Sequence, residues 1–224
     1  MRNMGMILGL FVAVSVASAD DKAEPNDKTL GAKPPEGAVV LFDGGDLDGW
    51  VKNQKGDPAE WPVMGEIFTV GAGKGSIWSK EKFGDCQIHV EFAVPYMPDA
   101  KGQARGNSGV YVNGIYEVQV LDSYGLDSKD NDCGGIYKQY APAVNACKPP
   151  LQWQTYDITF TQAKGDEKGR ITVVQNGITI IDDKPIEPTP GGVGFVKAGE
   201  DGPIMLQDHG NAVQYRNIWV KKGK

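Results

Sequence analysis

The sequence predicts an all-β fold, a jelly-roll sandwich of two antiparallel sheets, on three observations. Apolar residues alternate with polar ones, helical periodicity is nearly absent, and Gly, Pro, Asn and Asp punctuate the chain at short intervals. The first candidate strands are Val39 to Phe42, Ile67 to Val70 and Ser76 to Trp78. The clearest follows at Gln87 to Val94, where Ile88, Val90, Phe92 and Val94 point one way. Gly109 to Val112 and Tyr116 to Leu121 come next, then Tyr156 to Thr161. Arg170 to Gln175 and Ile178 to Asp182 flank Asn176-Gly177. That dipeptide is the strongest short hairpin signal, because a type I′ turn needs positive φ at both central residues. Val193 to Phe195, Ile204 to Gln207 and Val213 to Val220 complete the set. About ten to twelve short strands joined by tight turns pack as two sheets around one core.

The N-terminus stands apart. Arg2 precedes an almost wholly apolar run from Met4 to Val16, and Ala17-Ser18-Ala19 fits a small-x-small cleavage site. Residues 1–19 therefore read as a signal peptide, too short and too close to the cut for a spanning helix. Export to the periplasm or the extracellular space is expected, with no membrane insertion once the signal is removed. Residues 20–35 are charged, Pro-bearing and poor in large apolar side chains, which predicts a flexible leader. Residues 36–224 form one domain, large enough to be held together by burial alone.

The formal charge is -6, and loss of Arg2 takes it to -7. Basic residues are scattered rather than clustered, which argues against nucleic acid as a partner. There is no GxSxG, P-loop, GxGxxG in a βαβ unit or HExxH, so serine-hydrolase, nucleotide and zincin chemistries lapse. The three cysteines, Cys86, Cys133 and Cys147, show no zinc-like spacing. Two readings stay open for them: a Cys133–Cys147 bridge in an oxidising compartment, or three buried thiols.

Two long loops, Pro95 to Asn107 and Ser123 to Gln154, and two strand ends carry the side chains capable of chemistry. If Tyr116 to Leu121 is a strand, Tyr116, Val118 and Val120 face the core while Glu117 and Gln119 share the other face. A carboxylate beside an amide suits the floor of a sugar groove; a solvated outer face is the plain alternative. Gln207 and His209 share a face if their strand persists, and imidazole is the usual proton-transfer group near neutrality. Arg105, before Gly106-Asn107-Ser108-Gly109, is placed to stabilise an oxyanion, or is a solvated turn residue. Trp153 offers a stacking platform for a sugar ring. His89, mid-strand, reads as structural.

At these residues the chain resembles a known family. Leu41-Phe42-Asp43-Gly44 with Leu47-Asp48-Gly49-Trp50, Gly106 to Val110, Tyr116 to Ser123, Cys133 to Tyr137, Trp153 to Asp157, Leu206 to Asn211 and Arg216 to Val220 are similar, in order, to motifs of the 3-keto-disaccharide hydrolase domain family. The resemblance implies a concanavalin-like jelly roll acting on glycosides whose sugar is oxidised to a ketone at C3. It carries over Arg105, Asn107, Glu117, Gln119, Tyr137, Gln207, Asp208 and His209 as site residues. Cys147 departs from the small polar residue usual there, so a bridge to it would be local to this chain.

Ordinary glycosidases use two carboxyl groups, about 5 Å apart when they retain configuration. Here the residues two and four beyond Glu117 are Gln119 and Leu121, so its strand face supplies no second one. A C3 ketone opens another route, in which a base takes the acidified C2 proton, the C1 substituent is expelled and water adds back. The expected parts are His209 as base, Glu117 as acid/base partner with Asp208 beside them, and Arg105 or a bound divalent metal on the enolate oxygen. The rivals are a non-catalytic carbohydrate-binding module and a structural surface module, since one fold hosts many functions.

Overall fold

The computed structural model describes residues 24–223, so the expected signal segment lies outside the described residues. The chain is all-β. Its strands are β1 (Val39–Phe42), β2 (Trp50–Val51), β3 (Val63–Met64), β4 (Ile67–Thr69), β5 (Ile77–Phe83), β6 (Cys86–Ala93), β7 (Ser108–Val112), β8 (Tyr116–Val120), β9 (Gln154–Thr161), β10 (Gly169–Gln175), β11 (Ile178–Ile186), β12 (Gly202–Leu206) and β13 (Gln214–Lys222). One sheet runs β11-β10-β9-β6-β13-β4-β3, with β1 also paired to β13; the other runs β2-β5-β12-β7-β8. Every pairing within these sheets is antiparallel, and the two form the jelly-roll sandwich that the strand count predicts.

Alternation fills the space between the sheets. Ile88, Val90 and Phe92 of β6 meet Val110 and Val112 of β7 and Val118 and Val120 of β8 in one core, all fully buried. Phe68 anchors one end of it. Phe42 sits edge-on to it at 4.7 Å, Tyr215 stacks at 5.7 Å, and Trp50 and Trp61 lie at 6.1 Å each. Aromatic pairs of this kind contribute about 0.5–1.5 kcal/mol each beyond the area they bury. Asn176-Gly177 forms its turn with φ of 50° and 77° between Gln175 and Ile178.

Two expectations need correcting, and two short strands come as additions. Val193 to Phe195 is not a strand; flanked by glycines, it belongs to a loop that hangs on the β7–β8 turn through Val193 N–H to the Gly114 carbonyl. β2 and β3 are two residues each, too short to leave a periodic trace. The leader, where described, is not a free tail. Asn26 N–H donates to the Asn176 carbonyl, Thr29 and Thr155 hydroxyls pair at 2.6 Å, and Gly31 N–H donates to Glu91 at 2.6 Å. The Ala32 carbonyl accepts from Asn217 and Trp219. A polar segment that cannot bury apolar area still docks when the sheet offers it hydrogen-bond partners.

That docking buries the outer face of β6. His89 is held by Asp157 at 2.7 Å and stacks on Trp219, while Glu91 takes Arg216, Asn217 and the Gly31 N–H. Burial alone would lift the Glu91 pKa, but hydrogen bonds from His89, Asn217, Arg216 and Gly31 bring it down to about 2. Burial would likewise depress His89, and its bonds to Asp157 and Glu91 raise it instead. The three cysteines are buried free thiols, with the Gln175 amide nitrogen 3.5 Å from the sulfurs of both Cys133 and Cys147.

A chain that begins at Pro34 strips a donor from buried Glu91 and an acceptor from Asn217 and Trp219. We expect it to lose about 1–3 kcal/mol for each group left unpaired. Thermal unfolding beside the full chain measures this, and an unchanged Tm would remove the segment from the list of stabilising elements.

Candidate functional site

The site lies on the outer face of the five-stranded sheet. Alternation turns Gly109 and Tyr111 of β7, and Glu117 and Gln119 of β8, away from the core. Tyr111 stands directly across from Glu117, and Gly109 across from Gln119. The turn between these strands is a second Asn-Gly pair, Asn113-Gly114, with φ of 55° and 69°. Gln207, just past β12, joins them by donating its N–H to the Gly109 carbonyl.

An outer face would ordinarily be wet. Here two segments cover it. The chain after Asp132 returns along the free edge of β8: Gln119 N–H donates to Gly135, Gly134 N–H to Gln119, and Tyr137 N–H to Glu117. From the other side Thr189 Oγ1 accepts the Glu117 N–H at 3.2 Å, and the Tyr111 hydroxyl donates to the Pro190 carbonyl at 3.1 Å. Glu117 is left 2% exposed and Gln119 1%. The result is a cavity of about 240 Å³ lined by Gln103, Asn107, Tyr111, Glu117, Gln119, Tyr137, Lys138, Pro190, Gly191, Gln207 and His209.

Burial pushes the Glu117 pKa up to about 7, and the neighbouring Tyr111 hydroxyl pulls it back only in part. Gly109 makes room for that carboxyl, since a Cβ there would stand 2.5 Å from Glu117 Oε1. Around it the amides are half satisfied. The Asn107 nitrogen donates to the Gln103 carbonyl at 2.7 Å, that of Gln119 to Gln103 Oε1 at 3.1 Å, and that of Gln207 to the Tyr111 hydroxyl at 3.2 Å. The three amide oxygens, all buried, accept nothing from the described residues. Buried polar atoms are rarely left unpaired, and three of the seven such side-chain atoms among the described residues belong to the lining of this one cavity. Larger hollows, of about 540 Å³ beside Lys164 to Gly169 and about 880 Å³ beside Tyr124 to Ser128, are lined by no buried carboxyl group.

Of the candidates read from sequence, Asn107, Glu117, Gln119, Tyr137, Gln207 and His209 meet here, His209 at the exposed rim. Asp208, Arg105 and Trp153 do not. The Asp208 carboxylate is committed to the N–H groups of Gly75 and Gly210 at 2.9 Å each, so it pins the turn that carries His209. Arg105 donates to the Asp122 carbonyl from Nε and Nη2, at 2.9 and 2.6 Å, and pairs with its carboxylate. Trp153 stacks under Arg216 at 4.1 Å, and Arg216 binds Glu91 of the opposite sheet. Sequence reasoning missed Gln103, Tyr111 and Lys138. Tyr111 was recoverable, because pairing across the Asn113-Gly114 turn puts it opposite Glu117.

Among the described residues no group of three or more His, Cys, Asp or Glu side chains is placed to hold a metal ion. One carboxylate and one imidazole in the cavity fall short of such a set, so no step is routed through the divalent metal considered above.

The sequence profile of the 3-keto-α-glucoside-1,2-lyase-like domain matches residues 37–221, nearly all of the described chain. The chain belongs to that family. Comparison with curated proteins returns no match. Among solved structures, the family member is similar to a candidate glycosyl hydrolase from Parabacteroides distasonis ATCC 8503, with 41% identity over 84% of this chain and 85% of that one, and a TM-score of 0.74. Two further candidate glycosyl hydrolases from the same organism share the fold. One has 20% identity, covering 84% and 95% of the two chains, with a TM-score of 0.65; the other has 21%, covering 83% and 99%, with 0.60. The 3-keto-α-glucoside-1,2-lyase-like domain thus brings this cavity into a family named for glycoside cleavage.

The pKa of Glu117 is raised on folding, from 4.5 to about 7. Its contribution to stability is complete below pH 4.5 and lost as pH rises through about 7, a penalty of about 3 kcal/mol at pH 8. Glu117→Gln removes that ionisation. We expect the gap in Tm between pH 5 and pH 8 to narrow in the variant; an equal gap in both proteins would show that Glu117 does not titrate across this range.

Proposed function

We propose that the chain cleaves 3-keto-glucosides by elimination and hydration, with net hydrolysis as the outcome, and that it does so after export. The observation that carries this is the single buried carboxyl group, protonated in good part near neutrality, in a cavity walled by amides and hydroxyls, three of the amides with unpartnered oxygens. Sugar hydroxyls supply the matching donors. At about 240 Å³ the cavity is smaller than the ~300–1,000 Å³ typical of drug-sized ligand sites, which suits one sugar ring.

In this reading the His209 imidazole, at the rim, takes the proton from C2. The electron pair moves onto the C3 carbonyl oxygen and then returns to form the C1–C2 double bond as the C1 oxygen leaves. Protonated Glu117 gives that oxygen its proton. Water then adds across the double bond: its hydroxyl goes to C1, its proton goes to the Glu117 carboxylate, and the His209 imidazolium returns a proton to C2. One positioned acid or base accelerates such steps by about 10²- to 10⁴-fold. Asp208 moves from a catalytic part to a supporting one, holding the turn beneath His209. The Arg2 to Ala19 segment supports export to an extracytoplasmic compartment.

The test is incubation of purified protein with a 3-keto-disaccharide and with its unoxidised parent. We expect product from the keto form only, and a fall of about 10²- to 10⁴-fold in kcat for His209→Ala. Sugar affinity without product would make this a binding module. Equal turnover by the His209 variant would remove the base assignment.

A further inference from the structure

The hydrogen-bond inventory of the cavity separates a ketone from a hydroxyl. Asn107, Gln119 and Gln207 keep buried oxygens without a partner among the described residues, while each amide nitrogen already donates within the protein. The single Tyr111 proton is shared between two acceptors of the protein itself, the Pro190 carbonyl and the Glu117 carboxyl. A ketone oxygen only accepts, so it depends on the donors such a wall has left. With His209 spent as the base, the one charged donor left among the lining residues is the Lys138 ammonium; the Tyr137 hydroxyl and the second amide hydrogens of Gln119 and Gln207 are neutral.

Lys138 is the one lysine or arginine in the cavity wall, and its backbone is unusual. Its φ is 59°, a left-handed conformation that non-glycine residues rarely adopt outside Asn and Asp. The conformation is held by its N–H donating to the Asp130 carbonyl at 2.9 Å, and the ammonium lies 5.3 Å from the Tyr137 ring centroid. A glycine would satisfy this backbone without strain, so the lysine side chain stands here against local preference.

We propose that Lys138 reads the C3 ketone of the substrate and holds the enolate oxygen as charge develops on it, the part that sequence reasoning assigns to Arg105. When the C2 proton leaves, the negative charge on the C3 oxygen meets a charge-assisted donor, which is stronger than a neutral phenol. Lys138 donates a hydrogen bond and keeps its proton; no other bond is made or broken by it. This rests on reading the cavity as a 3-keto-glucoside site, and it adds a basis for choosing the oxidised sugar over the plain one.

Lys138→Gly relieves the backbone and deletes the donor. We expect an unchanged or higher Tm, a kcat on the 3-keto-disaccharide lowered by about 10²- to 10³-fold, and an unaltered Kd for the unoxidised disaccharide. Lys138→Arg, which keeps a charged donor, should recover much of the rate. A stable Lys138→Gly protein working at the wild-type rate overturns the inference alone. So does an equal loss of affinity for oxidised and plain sugars. A wild-type protein inert towards every 3-keto-glucoside overturns the function beneath it and this inference together.

Discussion

The constraint on which the molecule depends is the burial of one carboxyl group on a sheet face that would ordinarily meet water. Glu117 sits on β8, an edge strand, and edge strands leave backbone donors and acceptors open. Those groups recruit the 134–137 segment, and Thr189 takes the N–H of Glu117 itself. The cover that satisfies the edge also excludes solvent from the carboxyl, so one set of backbone bonds both completes the sheet and shifts the acid. Gly109 then becomes obligatory, because any side chain there would occupy the carboxylate's space.

The outer face of the opposite sheet offers an internal control. It too carries a histidine and a glutamate, His89 and Glu91, fully buried. Yet Glu91 accepts from Arg216, Asn217 and the Gly31 N–H, and His89 is bound by Asp157. Its carboxylate is driven to about 2, whereas that of Glu117 is driven to about 7. The same residue types are a structural clasp where a cation and a backbone N–H bond the carboxylate directly, and a raised acid where neither bonds it. Partner accounting, rather than residue identity, separates the two.

That distinction explains how far the sequence could be read. Alternation was enough to set Glu117 and Gln119 on one face and Tyr116, Val118 and Val120 on the other, and turn chemistry placed the hairpins. Period-two patterning states which way a side chain points and not what it meets. Arg105, Asp208 and Trp153 all stand in or beside long loops, and each is claimed by a partner remote in sequence: Asp122, Gly75 and Arg216. Lys138 was invisible for the complementary reason. Its conformation depends on Asp130 and on the return of the loop along β8, neither of which a local pattern encodes. The docking of residues 26–32 escaped a composition argument because it rests on hydrogen bonds to a polar face and not on apolar area.

The scarcity of carboxylates in the cavity also bears on which chemistry the fold can host. Double displacement needs an ionised nucleophile and a protonated acid together, two carboxyl groups whose environments hold them in opposite states. The cavity wall holds Glu117 alone, and in the state suited to the acid. A nucleophile in that position would be weakened by the very burial that raises its pKa. For a substrate already oxidised at C3 no nucleophile is required. The ketone supplies the electron sink, and the protein need only remove one proton, deliver another and steady the oxygen between them. Under the mechanism proposed above, an edge strand roofed by a returning loop meets those terms with one acid, one rim base and one cation.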